Sequence, residues 1–492
     1  MNLLELIQVL PTKKVVHATT VEVTSLEMDS RKVTPGALFF CIFGQTVDGH
    51  QFVSQAIANG ACAIVAQKPV QIETCPIVYV PDTTRAMAVL ADYFYGHPSQ
   101  QFKLIGITGT NGKTTTSQLI DQFFINIGEV TGLFGTMYIK MKQEYFPTKN
   151  TTPDALVLQK TMYEMVKNSI SVCTMEVSSH ALQLGRVHGC DFDIAVFTNL
   201  TQDHLDFHQT MDEYRFAKSL LFSQLGSAFD ERKPKFAILN ADDPAIQFFK
   251  MATVAHILTY GIDTKSDVMA TKIEYQANGT RFWLQFADQT YPVQTHLLGK
   301  FNIYNLLAAV AVLLAYGVEI QTIVSLIPNL KGVKGRFELV PNSLGFSVVV
   351  DYAHTPDGLV HILQSAKMIA KGQTIVVIGC GGDRDETKRP QMGRAATQYA
   401  DFAIFTSDNP RSEDPMKILK QMEMGTVTNS YELLVDRSAA IEKALKMARK
   451  DDMIIIAGKG HETTQIFKDR KIHFDDVEVV TDLLGKMRED KG

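Results

Sequence analysis

The sequence predicts an α/β protein with several domains, and three observations carry that prediction. Its 492 residues exceed what one hydrophobic core encloses and suggest about three domains. Short apolar, β-rich runs alternate with stretches of helical spacing, the pattern of mainly parallel sheets covered by helices. A glycine loop, GTNGKTT at 109–115, lies between an apolar run and a helical pattern. Strand, glycine loop, Lys-Thr and helix is the layout of a phosphate cradle.

The first block, 1–98, mixes short strands at 38–42, 63–66 and 77–80 with helical segments at 52–59 and 85–94. Gly96, His97 and Pro98 read as a linker. The second block, 99–333, opens on the apolar run 104–107, followed by the cradle and a helix bearing Leu119, Ile120, Phe123, Phe124 and Ile127. Apolar runs recur at 172–175, 194–197 and 236–239, and ligands of such sheets sit beyond the carboxyl ends of the strands. The segment 303–314 sets Ile303, Leu306, Leu307, Val310 and Leu313 on one helical face. Two glycines within 331–335 suggest a hinge. The third block, 334–492, repeats the alternation with strands at 347–350, 374–378, 402–405 and 453–456. Two α/β domains after a smaller one suggest a substrate held across clefts.

Composition narrows the partners. A net charge of −5 provides no global basic field to recruit nucleic acid or an anionic membrane. A polyanionic substrate must therefore be held by local devices such as the cradle. Cys41, Cys62, Cys75, Cys173, Cys190 and Cys380 are scattered without a CxxC pair, which suits free thiols in a reducing cytoplasm. The N-terminus lacks a basic stretch and meets Pro11 early, unlike a signal peptide. The longest apolar run, 306–318, falls short of the roughly 18 residues that span a bilayer. A soluble, cytoplasmic protein is expected.

Within the cradle, the backbone N–H groups of the loop and the helix N-terminus attract an anion. Lys113 reaches the terminal phosphates, and the Thr114 hydroxyl can bind magnesium. Ile107 stands where the general P-loop has its first glycine, and this shorter GxxGKT form belongs to a narrower set of nucleotide users. Glu176, at the tip of the 172–175 strand, is placed either as a magnesium carboxylate or as a solvated loop residue. The run 198–206, Thr-Asn-Leu-Thr-Gln-Asp-His-Leu-Asp, follows another strand. Its His204 could bind or catalyse, or simply cap or pack. Lys218, on a probable helix, reads by composition as an exposed lysine. Asn302 and Asn305 could contact a nucleotide or cap their helix.

The last block carries Gly335-Arg336-Phe337-Glu338 and Asp351-Tyr352-Ala353-His354. Arg336 is the right type to meet phosphate charge, or else a surface residue. Gly379-Cys380-Gly381-Gly382-Asp383-Arg384 and Asp408-Asn409-Pro410-Arg411 each follow a strand. Two arginines and an aspartate could grip a zwitterion, Arg pairing with carboxylate and Asp accepting from ammonium; a tight turn with a surface Arg is the alternative. Gly458-Lys459-Gly460-His461-Glu462 could complete that pocket.

Taken in order, these motifs closely resemble the Mur ligase family, ATP-dependent enzymes that add amino acids to the peptidoglycan precursor. The carriers are GTNGKTT, MEVSSHAL at 175–182, FTNLTQDHLDFH at 197–208, LLGKFNIYN at 297–305, GRFE at 335–338 and DYAHTPD at 351–357. The resemblance covers essentially the whole chain. It implies a small N-terminal UDP-binding α/β domain, a central P-loop parallel-sheet ATPase domain and a C-terminal Rossmann-like α/β domain for the amino acid.

The resemblance also implies roles residue by residue. ATP would be bound by Gly109, Thr110, Asn111, Gly112, Lys113, Thr114, Thr115, Asn302, Arg336 and Asp351. Ser30, within Asp29-Ser30-Arg31, would contact the UDP end. Asn150, Thr151, Thr152, Ser178 and Arg186 would grip the muramoyl-dipeptide, UDP-MurNAc-L-Ala-D-Glu. The DNPR version at 408–411 goes with members that add meso-diaminopimelate, which Arg384, Asp408, Asn409, Pro410, Arg411, Gly458 and Glu462 would hold. Two magnesium ions are implied, with Thr114, Glu176, His204 and a carbamylated Lys218 as ligands. Leu184 departs from the polar contact some relatives carry there.

The implied reaction phosphorylates the substrate's γ-carboxylate and then forms an amide with the incoming amine. Lys113, Lys218, His204 and Arg336 are the expected catalytic set, in a monomer without nucleic-acid or membrane partners. Rival readings are a ligase adding L-lysine, a folylpolyglutamate synthetase, which the first block and the DNPR run oppose, and a P-loop switch, for which no NKxD signature is present.

Overall fold

The structure is a computed structural model describing residues 1–44, 47–72, 74–226, 230–276 and 279–489. The side chain of Asp206, the last residue of the predicted 198–206 run, lies outside the described residues. Backbone contacts divide the chain into two compact units, Met1–Val268 with Ala308–Glu319, and Met269–Leu307 with Ile320–Gly492.

The first unit begins with a five-stranded sheet in the order Lys14–Val16, Ile77–Tyr79, Ala61–Ala66, Ala37–Phe40, Ser25–Glu27. Helix Thr83–Phe94 starts where the Asp82 side chain accepts from Arg85 N, an N-cap that satisfies an otherwise orphaned donor. Ala86, Met87, Leu90 and Ala91 of this helix join Leu38, Phe40, Val65 and Val78 of the strands in one apolar core. The chain leaves through His97, whose φ is 53°, into a short 3₁₀ turn at Pro98–Gln100.

The central sheet of this unit runs His256–Gly261, Phe236–Asn240, Ile194–Phe197, Lys103–Thr108, Val172–Glu176, Thr131–Phe134, all parallel. Two short antiparallel strands, Ile139–Met141 and Glu144–Phe146, follow at one edge. Register decides what meets at the carboxyl ends. Glu176 lies opposite Ile107 and Phe197 opposite Thr108, so the cradle, Glu176 and the 198–206 run emerge side by side. The predicted strands at 172–175 and 194–197 are thus present, and Glu176 is the last strand residue rather than part of a loop. It is 1 % exposed, which removes the solvated-loop reading.

The second unit contains an antiparallel hairpin, Gly279–Phe286 with Gln289–Thr295. The sequence reading did not foresee it, because its strands carry too many polar residues to register as apolar runs. The unit's six-stranded sheet runs Glu338–Val340, Ser347–Asp351, Met453–Ala457, Thr374–Ile378, Phe402–Phe405, Tyr431–Leu433, parallel except for the first pair. Apolar cores on both faces explain why its strands read as continuous hydrophobic runs. Asp351 pairs with Ala457 and Ile378 with Phe405. The runs after 351, 378, 405 and 457 therefore share one edge.

Helix Lys300–Tyr316 is longer than the predicted 303–314. Leu306 through Leu313 are all fully buried, so the single apolar face expected from Ile303, Leu306, Leu307, Val310 and Leu313 is too narrow. Small Ala308, Ala309 and Ala311 between the larger residues let neighbours close over every side. The predicted hinge at 331–335 lies inside the second unit. A Cβ on Gly335 would come within 2.1 Å of His461 N, so this glycine serves a close backbone approach.

Candidate active site

The cradle is formed as its sequence predicts. Gly109 and Gly112 have φ of +147° and +84°, and helix Lys113–Asn126 starts immediately after. Thr110 Oγ1 donates to Thr201 O at 3.1 Å and lies 3.2 Å from Tyr214 Oη. Asn111 N donates to Asn199 Oδ1 at 2.9 Å. The cradle is thus laced to the 198–201 segment. Lys113 Nζ donates to Gly109 O and Thr110 O, both at 2.9 Å, which keeps its ammonium over the loop mouth. Thr115 is buried at the base of the helix.

An alanine at 109 would put its Cβ 1.9 Å from Thr198 Oγ1. We expect Gly109→Ala to lower stability by about 1–3 kcal/mol and to weaken ATP binding at least about tenfold. Denaturant melts and calorimetric titration check both, and wild-type ATP affinity would count against the cradle.

Of the predicted metal ligands, Thr114 meets Glu176. Thr114 Oγ1 donates to Glu176 Oε2 at 2.9 Å. Thr136, which the sequence reading missed, donates from Oγ1 to Oε2 at 2.9 Å and from N to Oε1 at 3.0 Å. Nothing in the sequence around Thr136 marks it; the sheet brings it 40 residues back to Glu176. The Thr114 hydroxyl and Glu176 carboxylate are hard oxygen donors of the kind magnesium takes. Among the described residues no cluster of three or more His, Cys, Asp or Glu could hold a metal.

Lys218 corrects the expectation from composition. On helix Met211–Ser223 it is 1 % exposed, donates from Nζ to Gly109 O at 2.8 Å and lies 4.3 Å over the Tyr214 ring. Burial pushes its pKa well below that of an ordinary lysine, and the Lys113 ammonium pushes the same way. Periodicity on the helix is the signal that could have revealed this burial. His204 stands just before helix Leu205–His208 with φ 53° and makes no side-chain cap, so the capping reading fails. Its ring packs edge-on against His180 at 4.8 Å and faces Tyr214 at 6.1 Å.

The residues assigned to the dipeptide also gather around this strand end. Thr152 Oγ1 donates to Glu176 O at 2.8 Å and accepts from Ser178 N at 3.1 Å. Arg186 Nη1 donates to Thr152 O at 3.0 Å, and Thr151 Oγ1 lies 3.1 Å from Thr136 Oγ1. The Ser178 hydroxyl caps helix Ser179–Gln183 by accepting from Ala181 N. Asn150 is exposed. In the first sheet's domain, Ser30 is buried and donates to Gln55 Oε1 at 2.8 Å.

The second unit assembles its own cluster. Asp408 is buried and its Oδ1 lacks a hydrogen-bond partner. Burial raises its pKa, opposed by Arg437 and Lys459. Asn409 Nδ2 donates to Glu462 Oε2 at 2.8 Å. Arg411 Nη1 donates to Gly382 O at 2.7 Å, and Arg384 is exposed beside it with Nη1 on Asp383 O at 3.1 Å. Gly458 has φ +107°, and a Cβ there would lie 3.1 Å from Asp408 Oδ2. Lys459 comes from the 458–462 run expected to complete the pocket, whereas Gln465 was missed as a participant. Lys459, fully buried, sits 3.8 Å from Asp408 and 3.4 Å from Glu462, and Gln465 Nε2 donates to Asp408 O at 2.8 Å. Pro410 O accepts from Glu413 N, closing the DNPR turn.

Nearby, Asp351 accepts from Phe337 N at 2.6 Å and Ala353 N at 2.7 Å, which holds the segment carrying Arg336. The Arg336 guanidinium lies 4.7 Å over the Tyr352 ring, and its buried Nε lacks a hydrogen-bond partner. Arg336 is thus partly buried rather than a freely exposed surface residue. Asn302, in the first turn of its helix, is buried and donates to Leu298 O, just before the helix, at 2.9 Å.

Three family models match the chain: "Mur ligase family, catalytic domain" over 22–95, "Mur ligase middle domain" over 107–313, and "Mur ligase, glutamate ligase domain" over 335–460. The UDP-N-acetylmuramoyl-L-alanyl-D-glutamate–2,6-diaminopimelate ligase of Bacillus velezensis is 55 % identical over 458 residues, 93 % of each chain. The same ligase of Bacillus cereus is 52 % identical over 484 residues, 98 % of each. A solved structure of a ligase of that name superposes with a TM-score of 0.73 at 31 % identity, covering 98 % of this chain and 99 % of the other. The matched segments span most of the chain in the order of its sheets, and on these grounds it belongs to the Mur ligase family.

Proposed function

We propose that this protein is the ATP-dependent ligase that joins meso-diaminopimelate to the D-glutamate γ-carboxylate of UDP-MurNAc-L-Ala-D-Glu, in peptidoglycan precursor synthesis. The observation that carries the reading is the Arg411–Asp408 arrangement. A guanidinium tethered at Gly382 and a buried carboxylate, whose Oδ1 accepts no hydrogen bond and lies 3.8 Å from the Lys459 ammonium, stand beside a strand end. Meso-diaminopimelate presents both a carboxylate and an ammonium at each end, and these two groups complement them. L-Lysine lacks the distal carboxylate and would leave Arg411 unpaired.

In this reading the γ-carboxylate attacks the terminal phosphorus of ATP, ADP leaves, and an acyl phosphate forms. The diaminopimelate amine then attacks the acyl carbon, phosphate leaves, and an amide results. Lys113, released from the carbonyls of Gly109 and Thr110, meets the transferring phosphoryl charge. Thr151, Thr152, Ser178 and Arg186, with Asn150, hold the peptide so that its carboxylate stays close, and positioning supplies much of the rate. Magnesium held by Thr114, Glu176, His204 and carbamylated Lys218 would, when bound, neutralise phosphate charge as a Lewis acid. Asn302, Arg336 and Asp351 would contact the nucleotide, and Ser30 the UDP end.

The division into 1–98, 99–333 and 334–492 belongs to the same reading, supported by the separate sheets and the three matched segments. So do a monomeric state and a cytoplasmic location. The six cysteines are free, and among the described residues no helix is long and apolar enough to cross a membrane.

The test is direct. Purified protein receives UDP-MurNAc-L-Ala-D-Glu, ATP and either amino acid, and ADP release is followed with product mass. Diaminopimelate should be used in strong preference to L-lysine; preference for lysine would sink the assignment.

A further inference from the structure

Two loops carry the arginines assigned to the amino acid, 379–384 with Arg384 and 408–413 with Arg411. Their backbones meet directly. Gly382 N donates to Asn409 O at 2.9 Å, and a Cβ on Gly382 would come within 1.9 Å of Pro410 O. No side chain fits between them, so the loops are held in contact at this point, and other contacts are needed to fix how the two arginines are aimed.

Arg389, the second residue of helix Lys388–Tyr399, lies against both loops with its side chain fully buried. Its fork is bidentate on Glu413, Nη1 to Oε2 at 2.9 Å and Nη2 to Oε1 at 2.8 Å. Nη2 also donates to Gly381 O at 3.2 Å, and Nη1 donates to Gln421, which is itself held by Glu386 at 2.9 Å. Glu413 Oε1 accepts in turn from Asp383 N at 2.6 Å. Ser412 Oγ donates to Asp383 Oδ1 at 2.5 Å. One ion pair therefore touches Gly381 and Asp383 in the first loop and belongs by Glu413 to the second. Its contacts fall next to Arg384 in one direction and two residues from Arg411 in the other.

With Arg389 fully buried and Glu413 partly exposed, the pair is weak evidence for stability, because desolvation of the guanidinium offsets much of the attraction. It is much better suited to specifying geometry. The Arg389 guanidinium holds the Glu413 carboxyl down at about 2, so the pair stays charged at neutral pH.

We propose that Arg389 and Glu413 are a positioning pair that sets the spacing and aim of Arg384 and Arg411, and thereby the preference for an amino acid with a second carboxylate. This rests on the reading of that pocket as the diaminopimelate site. Bidentate pairing with carboxylate tolerates little displacement, and the buried Arg389 guanidinium is already committed to Glu413, Gly381 O and Gln421. A lysine at 389 keeps the charge but cannot hold two carboxylate oxygens and Gly381 O in one plane.

The experiment is steady-state kinetics of the full-length wild type, Arg389→Lys and Glu413→Gln, with meso-diaminopimelate and L-lysine as acceptors, alongside thermal melts. In both variants KM for diaminopimelate should rise about 10- to 100-fold, with kcat changed less than about threefold and KM for ATP unchanged. The preference over lysine should fall by the same factor. Glu413→Gln preserves shape and decides the matter if Arg389→Lys does not fold. A wild-type KM for diaminopimelate in Glu413→Gln, whatever its melting temperature, overturns the proposal; so does an equal rise in KM for ATP. A wild type that does not use diaminopimelate overturns the pocket reading itself, whereas a wild type that does, with unaffected variants, overturns only the role of the pair.

Discussion

Replacing Lys218 by alanine is expected to lower turnover by at least about three orders of magnitude, the scale on which metal-held charge stabilises a phosphoryl transition state. The expectation follows from burial. An ammonium buried beside Lys113, with its Nζ on Gly109 O, is costly in the folded protein. The same burial favours the neutral amine, and only the neutral amine can attack carbon dioxide. The new N–C bond releases a proton and turns the group into an anion that can ligate metal, which a free ammonium cannot. Lys218→Arg should fail as fully as Lys218→Ala, because a guanidinium stays protonated. Steady-state assays give the loss in turnover. Native mass measurement with and without bicarbonate should show the gain of one carbon dioxide in the wild type alone. Near-normal turnover of Lys218→Ala would end the assignment.

Arg411→Ala should lower kcat/KM for meso-diaminopimelate by about two to three orders of magnitude, from loss of a charged partner to a buried carboxylate. KM for ATP should stay unchanged, because the cradle at 109–115 is built from other residues. Use of L-lysine should not fall, since lysine has no distal carboxylate to lose its partner. Arg411→Lys should recover only part of the loss: the fork that lies on Gly382 O presents two parallel donors and an ammonium does not. Competition assays with the two amino acids check this, and an equal drop for both would show that Arg411 merely supports the loop.

The strands were readable because both main sheets are buried on two faces and appear as uninterrupted apolar runs. The antiparallel hairpin at 279–295 was not, since its alternate residues are polar and exposed. Motif residues at strand ends were found for a related reason: in a parallel sheet every carboxyl end points to one edge, so residues after successive strands become neighbours. Glu176, the 198–206 run and the cradle share one such edge; Asp351 ends a strand, and Gly379, Asp408 and Gly458 follow strands, that share another.

By itself the sequence determined the α/β class, the phosphate cradle and the order of the strand-end motifs, because periodicity and short glycine spacings act over a few residues. Only the tertiary structure decided which side chains meet. Lys218 reads as a surface lysine until its helix is packed with Nζ against Gly109, 109 residues away. Thr136 is anonymous until the sheet places it on Glu176. Arg389 is one basic residue among several until the helix after 387 carries it to Glu413 and Gly381. Such partners are chosen by strand register and helix docking, which depend on the whole buried surface and leave no local trace in the chain.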